Sequence, residues 1–125
     1  MPSRLHHIAI LCSDKTSALR FYRDALGFEV ERAVERPVRG DEIVWLRGYG
    51  VVLELFVAQD RPERVSDPEA YGLRHIALYV DDVEALAAHM RDCGFAPEPI
   101  RRDTFDGKNM TFVKDPDGLP VELHE

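Results

Sequence analysis

The feature of this 125-residue sequence that most constrains its fold is an internal repeat. Leu5-His6-His7-Ile8-Ala9 recurs as Leu73-Arg74-His75-Ile76-Ala77, with four identities in five at an offset of 68. The same offset carries Asp14 to Asp82, Arg23-Asp24 to Arg91-Asp92, Gly50 to Gly118 and Glu54-Leu55 to Glu122-Leu123. Matches at both ends of one register imply two copies of a single supersecondary unit, about 5–57 and 73–125, joined by the polar linker 58–72. The chain is too short for more than one ordinary domain, so 1–125 is read as one domain built from two modules.

Each half shows the same order of elements. A short apolar strand opens it, His7–Cys12 and then His75–Val80. A helix follows, with an apolar stripe at spacings of three and four: Ala18, Leu19, Tyr22, Ala25 and Leu26 in the first half, Val83, Leu86, Ala87 and Met90 in the second. Ser13 or Asp14 can cap the first helix, Asp81 with Glu84 makes a capping box for the second, and Gly27 and Gly94 end them. Three strands complete each half, 28–35, 42–47 and 51–57, then 98–102, 110–114 and 121–124. The turns Arg47-Gly48-Tyr49-Gly50 and Asp115-Pro116-Asp117-Gly118 join the last two of each set. The fold class is therefore α+β, two tandem βαβββ modules.

Composition narrows the function. A net charge of −7 without a Lys/Arg cluster argues against nucleic acid as a partner, because nonspecific binding depends on cations that displace counterions. No apolar run reaches the 18 or so residues of a membrane span, and the N-terminus opens no signal peptide, so a cytoplasmic location and no membrane partner are expected. Cys12 and Cys93 fit no metal or redox spacing and are read as small hydrophobes.

Four residues stand out chemically. Strand alternation puts His7, Ala9 and Leu11 on one face and Ile8 and Ile10 on the other, beneath the helix; His75 repeats the seat of His7. Glu54 lies within Val51-Val52-Leu53-Glu54-Leu55-Phe56-Val57, where an ionised carboxylate is costly unless paired or bound to a metal. Glu122 repeats that position. Two His and two Glu, one of each per half, supply an N2O2 set for one divalent metal. His6 and His124 are read as facing away from these residues, and His89 as surface. Arg74, Arg101, Arg102 and Lys108 are available to an anionic group, and Trp45, Tyr79 and Phe112 to a pocket wall.

Taken in order, His7-Ile8-Ala9, Phe21-Tyr22, Leu26-Gly27-Phe28, Val52-Leu53-Glu54-Leu55-Phe56, Gly72-Leu73-Arg74-His75-Ile76-Ala77 and Asp115-Pro116-Asp117-Gly118 resemble the vicinal-oxygen-chelate superfamily over the whole chain. That superfamily groups glyoxalase I, extradiol dioxygenases, epimerases, fosfomycin-resistance enzymes and bleomycin-binding proteins. The resemblance implies modules forming a curled mixed sheet around a metal site. Within it, His7, Glu54, His75 and Glu122 match the His-Glu-His-Glu pattern of bacterial-type glyoxalase I, a lactoylglutathione lyase. This implies a divalent-metal-dependent lyase or isomerase that stabilises an enediolate-like intermediate on a small-molecule substrate. Ni²⁺ or Co²⁺ is implied first, then Zn²⁺ or Mn²⁺, with a homodimer as the assembly. Glu122, and second Glu54, is the expected base. Leu11 stands where glyoxalase I places an Arg for glutathione, and Thr104–Asn109 replaces its Gly-rich stretch. The alternatives are a non-catalytic metabolite- or drug-binding protein and a thiol transferase on the same fold.

Overall fold

The computed structural model describes residues 2–125. The chain divides into two compact units, Met1–Pro62 and Glu63–Glu125. In the first, β1 (Ile8–Cys12) leads into α1 (Lys15–Leu19), a π-helical segment (Arg20–Ala25), and then β2 (Glu29–Arg36), β3 (Asp41–Gly48) and β4 (Val51–Ala58). In the second, β5 (Ile76–Tyr79) is followed by α2 (Val83–Asp92), β6 (Arg101–Arg102), β7 (Asn109–Lys114) and β8 (Pro120–His124).

The strands form two separate four-stranded mixed sheets, ordered β1-β4-β3-β2 and β5-β8-β7-β6. The expected single curled sheet is therefore corrected: each ladder is completed within its own half, and each sheet is open, with β1 and β2, or β5 and β6, at its edges. In each the first strand pairs in parallel with the last, and the remaining pairs are antiparallel. The parallel pair needs a crossover, which the helix supplies in both units.

Core and open faces follow the pleat. Ile10, Cys12, Leu53 and Leu55 are buried in the first unit, and Ile76, Leu78, Val121 and Leu123 in the second. Leu11 and Tyr79, on the opposite face of their strands, are 58% and 77% exposed. Glu54 and Glu122 lie on this second face, one residue out of phase with the buried leucines.

The helices differ from the sequence expectation in two respects. Asp14 caps α1 by accepting from the Ser17 amide, but the cap of α2 is Asp82, which accepts from Ala85 N, and not Asp81. Glu125 at the chain's end accepts from Val83 N instead of the expected Glu84 closing a box. The second difference is the π-helical segment, marked by Leu26 N donating to Phe21 O. Its wider turn brings Phe21 as well as Tyr22 into the core, which a strict three-and-four spacing does not anticipate.

The β3–β4 hairpin turns on Tyr49 and Gly50, both at positive φ (53° and 73°), the two-residue geometry that matches the twist of paired strands. Beside it, Gly48 serves a different purpose: a Cβ there would lie 2.8 Å from Cδ1 of buried Phe28. Gly48→Ala should therefore force the ring off its seat and lower unfolding stability by about 1–3 kcal/mol, the usual range for overpacking, as read by urea denaturation. An unchanged midpoint would show that Phe28 can move freely.

Candidate metal and substrate site

His7 directly precedes β1 and Glu54 sits in mid β4. The parallel register pairs Ile8 with Leu53 and Ala9 with Glu54, which brings His7 Nε2 to 3.3 Å from Glu54 Oε2. On its other side Glu54 pairs with Trp45, and Arg32 from β2 lies over the Trp45 ring at 5.4 Å. The second unit repeats the arrangement. Ala77 pairs with Glu122, His75 Nε2 is 3.2 Å from Glu122 Oε1, Glu122 pairs with Phe112, and Arg101 lies over the Phe112 ring at 5.6 Å. Each unit thus carries one row: a His, a Glu, an aromatic ring and an arginine over that ring.

The donor atoms of each pair suit adjacent corners of an octahedral ion. Metal–ligand bonds of about 2.1 Å at right angles put their donors roughly 3 Å apart, close to both observed separations. Both carboxylates are mostly withdrawn from solvent, with side-chain exposures of 17% and 14%, so each would meet an ion with little water to displace. Each pair by itself, His7 with Glu54 and His75 with Glu122, therefore fits two ligand positions of a divalent metal by donor chemistry and by geometry.

The histidine protons add detail. Arg74 Nη1 lies 3.1 Å from His75 Nδ1, and a guanidinium can only donate, so Nδ1 accepts and the neutral ring carries its proton on Nε2, toward Glu122. Were His75 to hold a metal through Nε2, its ring proton would sit on Nδ1, which could then not accept from Arg74. In the first unit His6 Nδ1 is 2.8 Å from His7 Nδ1. His7 can donate to His6 there, which leaves its Nε2 lone pair for a metal. His6 thus does not face away, because both rings precede the strand and escape its alternation.

His124 needs the same correction. It stands two residues after Glu122 on β8 and so shares its face. Asp103, Glu122 and His124, all half-buried, place one potential ligand atom each within 4.8 Å of one another, a candidate metal cluster that sequence reading passed over. The strand spacing of Glu122 and His124 was the available signal; Asp103 comes from a loop and left none. His124 Nε2 also lies 3.2 Å from Asp106. Its basicity is raised, first by the Glu125 backbone carbonyl and then by Asp103 and the neighbouring acids, against the cost of burial. Asp103 is held below the usual carboxylate range, chiefly by the Phe105 amide.

A cavity of about 600 Å³ opens in the second unit. Arg64, Arg74, Arg101 and Lys114 line it together with Glu69, Glu98 and Phe112. It adjoins the His75–Glu122 pair through Arg74 and through Phe112, whose ring meets that of His75 edge-on at 5.1 Å. Of the cations expected to serve an anion, Arg74 and Arg101 line this cavity, whereas Arg102 turns to the Gly107 carbonyl.

Residues 4–123 match the family model described as the Glyoxalase/Bleomycin resistance protein/Dioxygenase superfamily. The chain is 45% identical to the uncharacterized protein YaeR of Escherichia coli (strain K12), over 98% of this chain and 95% of that one. It is 32% identical to a probable lactoylglutathione lyase of Synechocystis sp., over 95% and 92%. The crystal structure of a glyoxalase family protein from Enterococcus faecalis superposes with a TM-score of 0.90 at 45% identity, over 98% of this chain and 97% of that one.

Proposed function

Since the chain belongs to the glyoxalase/bleomycin resistance protein/dioxygenase superfamily, we propose that it is a divalent-metal-dependent lyase or isomerase of glyoxalase I type acting on a small substrate with vicinal oxygens. His7, Glu54, His75 and Glu122 are its ligands, with Ni²⁺ or Co²⁺ ahead of Zn²⁺ or Mn²⁺, and a cytoplasmic homodimer is its working form. The observation that carries this reading is the duplicated His–Glu contact, 3.3 Å in one unit and 3.2 Å in the other. Similarity to a probable lactoylglutathione lyase supports the reaction type.

A bound divalent ion supplies Lewis-acid stabilisation of negative charge that develops on vicinal oxygens. The chain's own residues do the proton chemistry. Glu122 takes the proton from the carbon beside the substrate carbonyl and returns it to the neighbouring carbon, with Glu54 second in line for the role. Trp45 and Phe112 are the ladder neighbours of Glu54 and Glu122, whose side chains are mostly withdrawn from solvent.

Elemental analysis tests the ligand set. About one divalent ion per chain is expected in wild type and in His124→Ala, and little in His7→Ala. Metal lost with His124→Ala but kept in His7→Ala would assign the ion to the Asp103–Glu122–His124 cluster instead. Metal-free wild type, after growth with each ion supplied, would defeat the enzyme reading.

A further inference from the structure

We infer that the cavity of the second unit is an anion subsite, so that the substrate carries a carboxylate or phosphate at the end remote from its vicinal oxygens; this rests on the metal-enzyme reading above. The cavity walls hold four cationic side chains and two acidic ones, in a chain whose net charge is −7. A positively charged concavity on so acidic a protein is no sample of its average surface.

The cations divide by what they already do. Arg64 donates from Nη2 to the carbonyls of Leu73 and Arg74, both at 2.9 Å, and so fixes the wall. Arg74 is paired with Glu69 at 2.9 Å. Arg101 and Lys114 form no ion pair among the described residues. The Arg101 guanidinium lies over the Phe112 ring, 5.6 Å from its centroid, and its N–H groups form the fork that matches carboxylate and phosphate oxygens.

Position joins this pocket to the chemistry. Phe112 is a shared wall: it pairs with Glu122, touches the His75 ring and carries Arg101 on its face. Lys114 and Pro120 continue the Glu122 face toward the β7–β8 turn. Arg74, beside His75 Nδ1 at 3.1 Å, also lines the cavity and so joins it to the His75–Glu122 pair. A volume of about 600 Å³ leaves room for an organic body besides its anionic group.

The test compares lactate, malate and 3-phosphoglycerate, which share a free 2-hydroxycarboxylate end and differ by a carboxylate or phosphate on the remote carbon. Their binding is measured by calorimetry at fixed ionic strength, on metal-loaded and on chelator-treated protein. One or both of malate and 3-phosphoglycerate should bind about tenfold or more tightly than lactate, with NMR amide shifts at Arg101 and Lys114; which of the two does so names the anionic group. The preference should vanish in Arg101→Ala/Lys114→Ala, whose exposed positions leave folding intact, as circular dichroism will check. Equal affinities for all three probes, or a preference that survives the double substitution, would overturn the subsite. A preference retained on protein that binds no metal supports the subsite and removes only the catalytic reading.

Discussion

Glu122→Gln is expected to abolish nearly all proton exchange at the substrate carbon, by about 10²–10⁴-fold, the span typical of a lost general base. The geometry sets this residue apart. Glu122 meets His75 at 3.2 Å, belongs to the three-residue cluster with Asp103 and His124, and stands in the row that borders the cavity through Phe112. Glu54 has a His, a Trp and an Arg over the Trp ring, and among the described residues no comparable cluster surrounds it. Glu54→Gln should therefore lower metal affinity with a smaller loss of exchange per bound ion. The measurement is solvent deuterium incorporation, by NMR, into methylglyoxal hemithioacetals prepared with several thiols, normalised to metal content. Glutamine keeps the size of the side chain and removes the basic oxygen, so a folding defect is not expected to confound the comparison. Equal exchange in Glu122→Gln and wild type at equal metal occupancy would take the base away from Glu122. A larger loss in Glu54→Gln would exchange the two roles.

The halves, their element order and their buried faces were legible because side chains record them. The 68-residue offset aligns His7 with His75 and Glu54 with Glu122, and alternation alone separates Leu53 and Leu55 from the glutamate between them. What was not legible lies in the backbone or in loops. Whether eight strands make one curled sheet or two open ones depends on hydrogen bonds between edge strands, which leave no mark on side-chain pattern. The π-helical register at Arg20–Ala25 adds Phe21 to the expected inward-facing Tyr22 without changing composition. Asp81 and Asp82 are chemically interchangeable as caps, so only the chain's entry into α2 selects Asp82. Strand β6 shrinks to Arg101–Arg102 because Pro99 interrupts the expected 98–102 segment, and proline cannot donate to a ladder. The cationic cavity draws Arg64 and Lys114 from outside the residues singled out for anions, since its walls come from a linker and a strand end brought together only by folding.

The second large effect tests the separation of faces on which the site reading depends. Leu55→Ala should cost about 2–5 kcal/mol of unfolding free energy, because the side chain is fully buried (0% exposed) and its removal leaves both a lost transfer term and a cavity. Leu11→Ala, on the neighbouring strand but on the open face at 58% exposure, should fall within about 0.5 kcal/mol of wild type. The two leucines differ in which side of the pleat they occupy: Leu11 pairs with Phe56, one residue beyond Leu55. Chemical denaturation of both variants decides the matter. If the costs were reversed, β4 would be shifted by one residue, Leu53 and Leu55 would turn outward, and Glu54 would enter the core; a carboxylate there has no route to substrate. The expected order of stabilities keeps Glu54 and, through the repeat, Glu122 on the face where a small molecule can reach them.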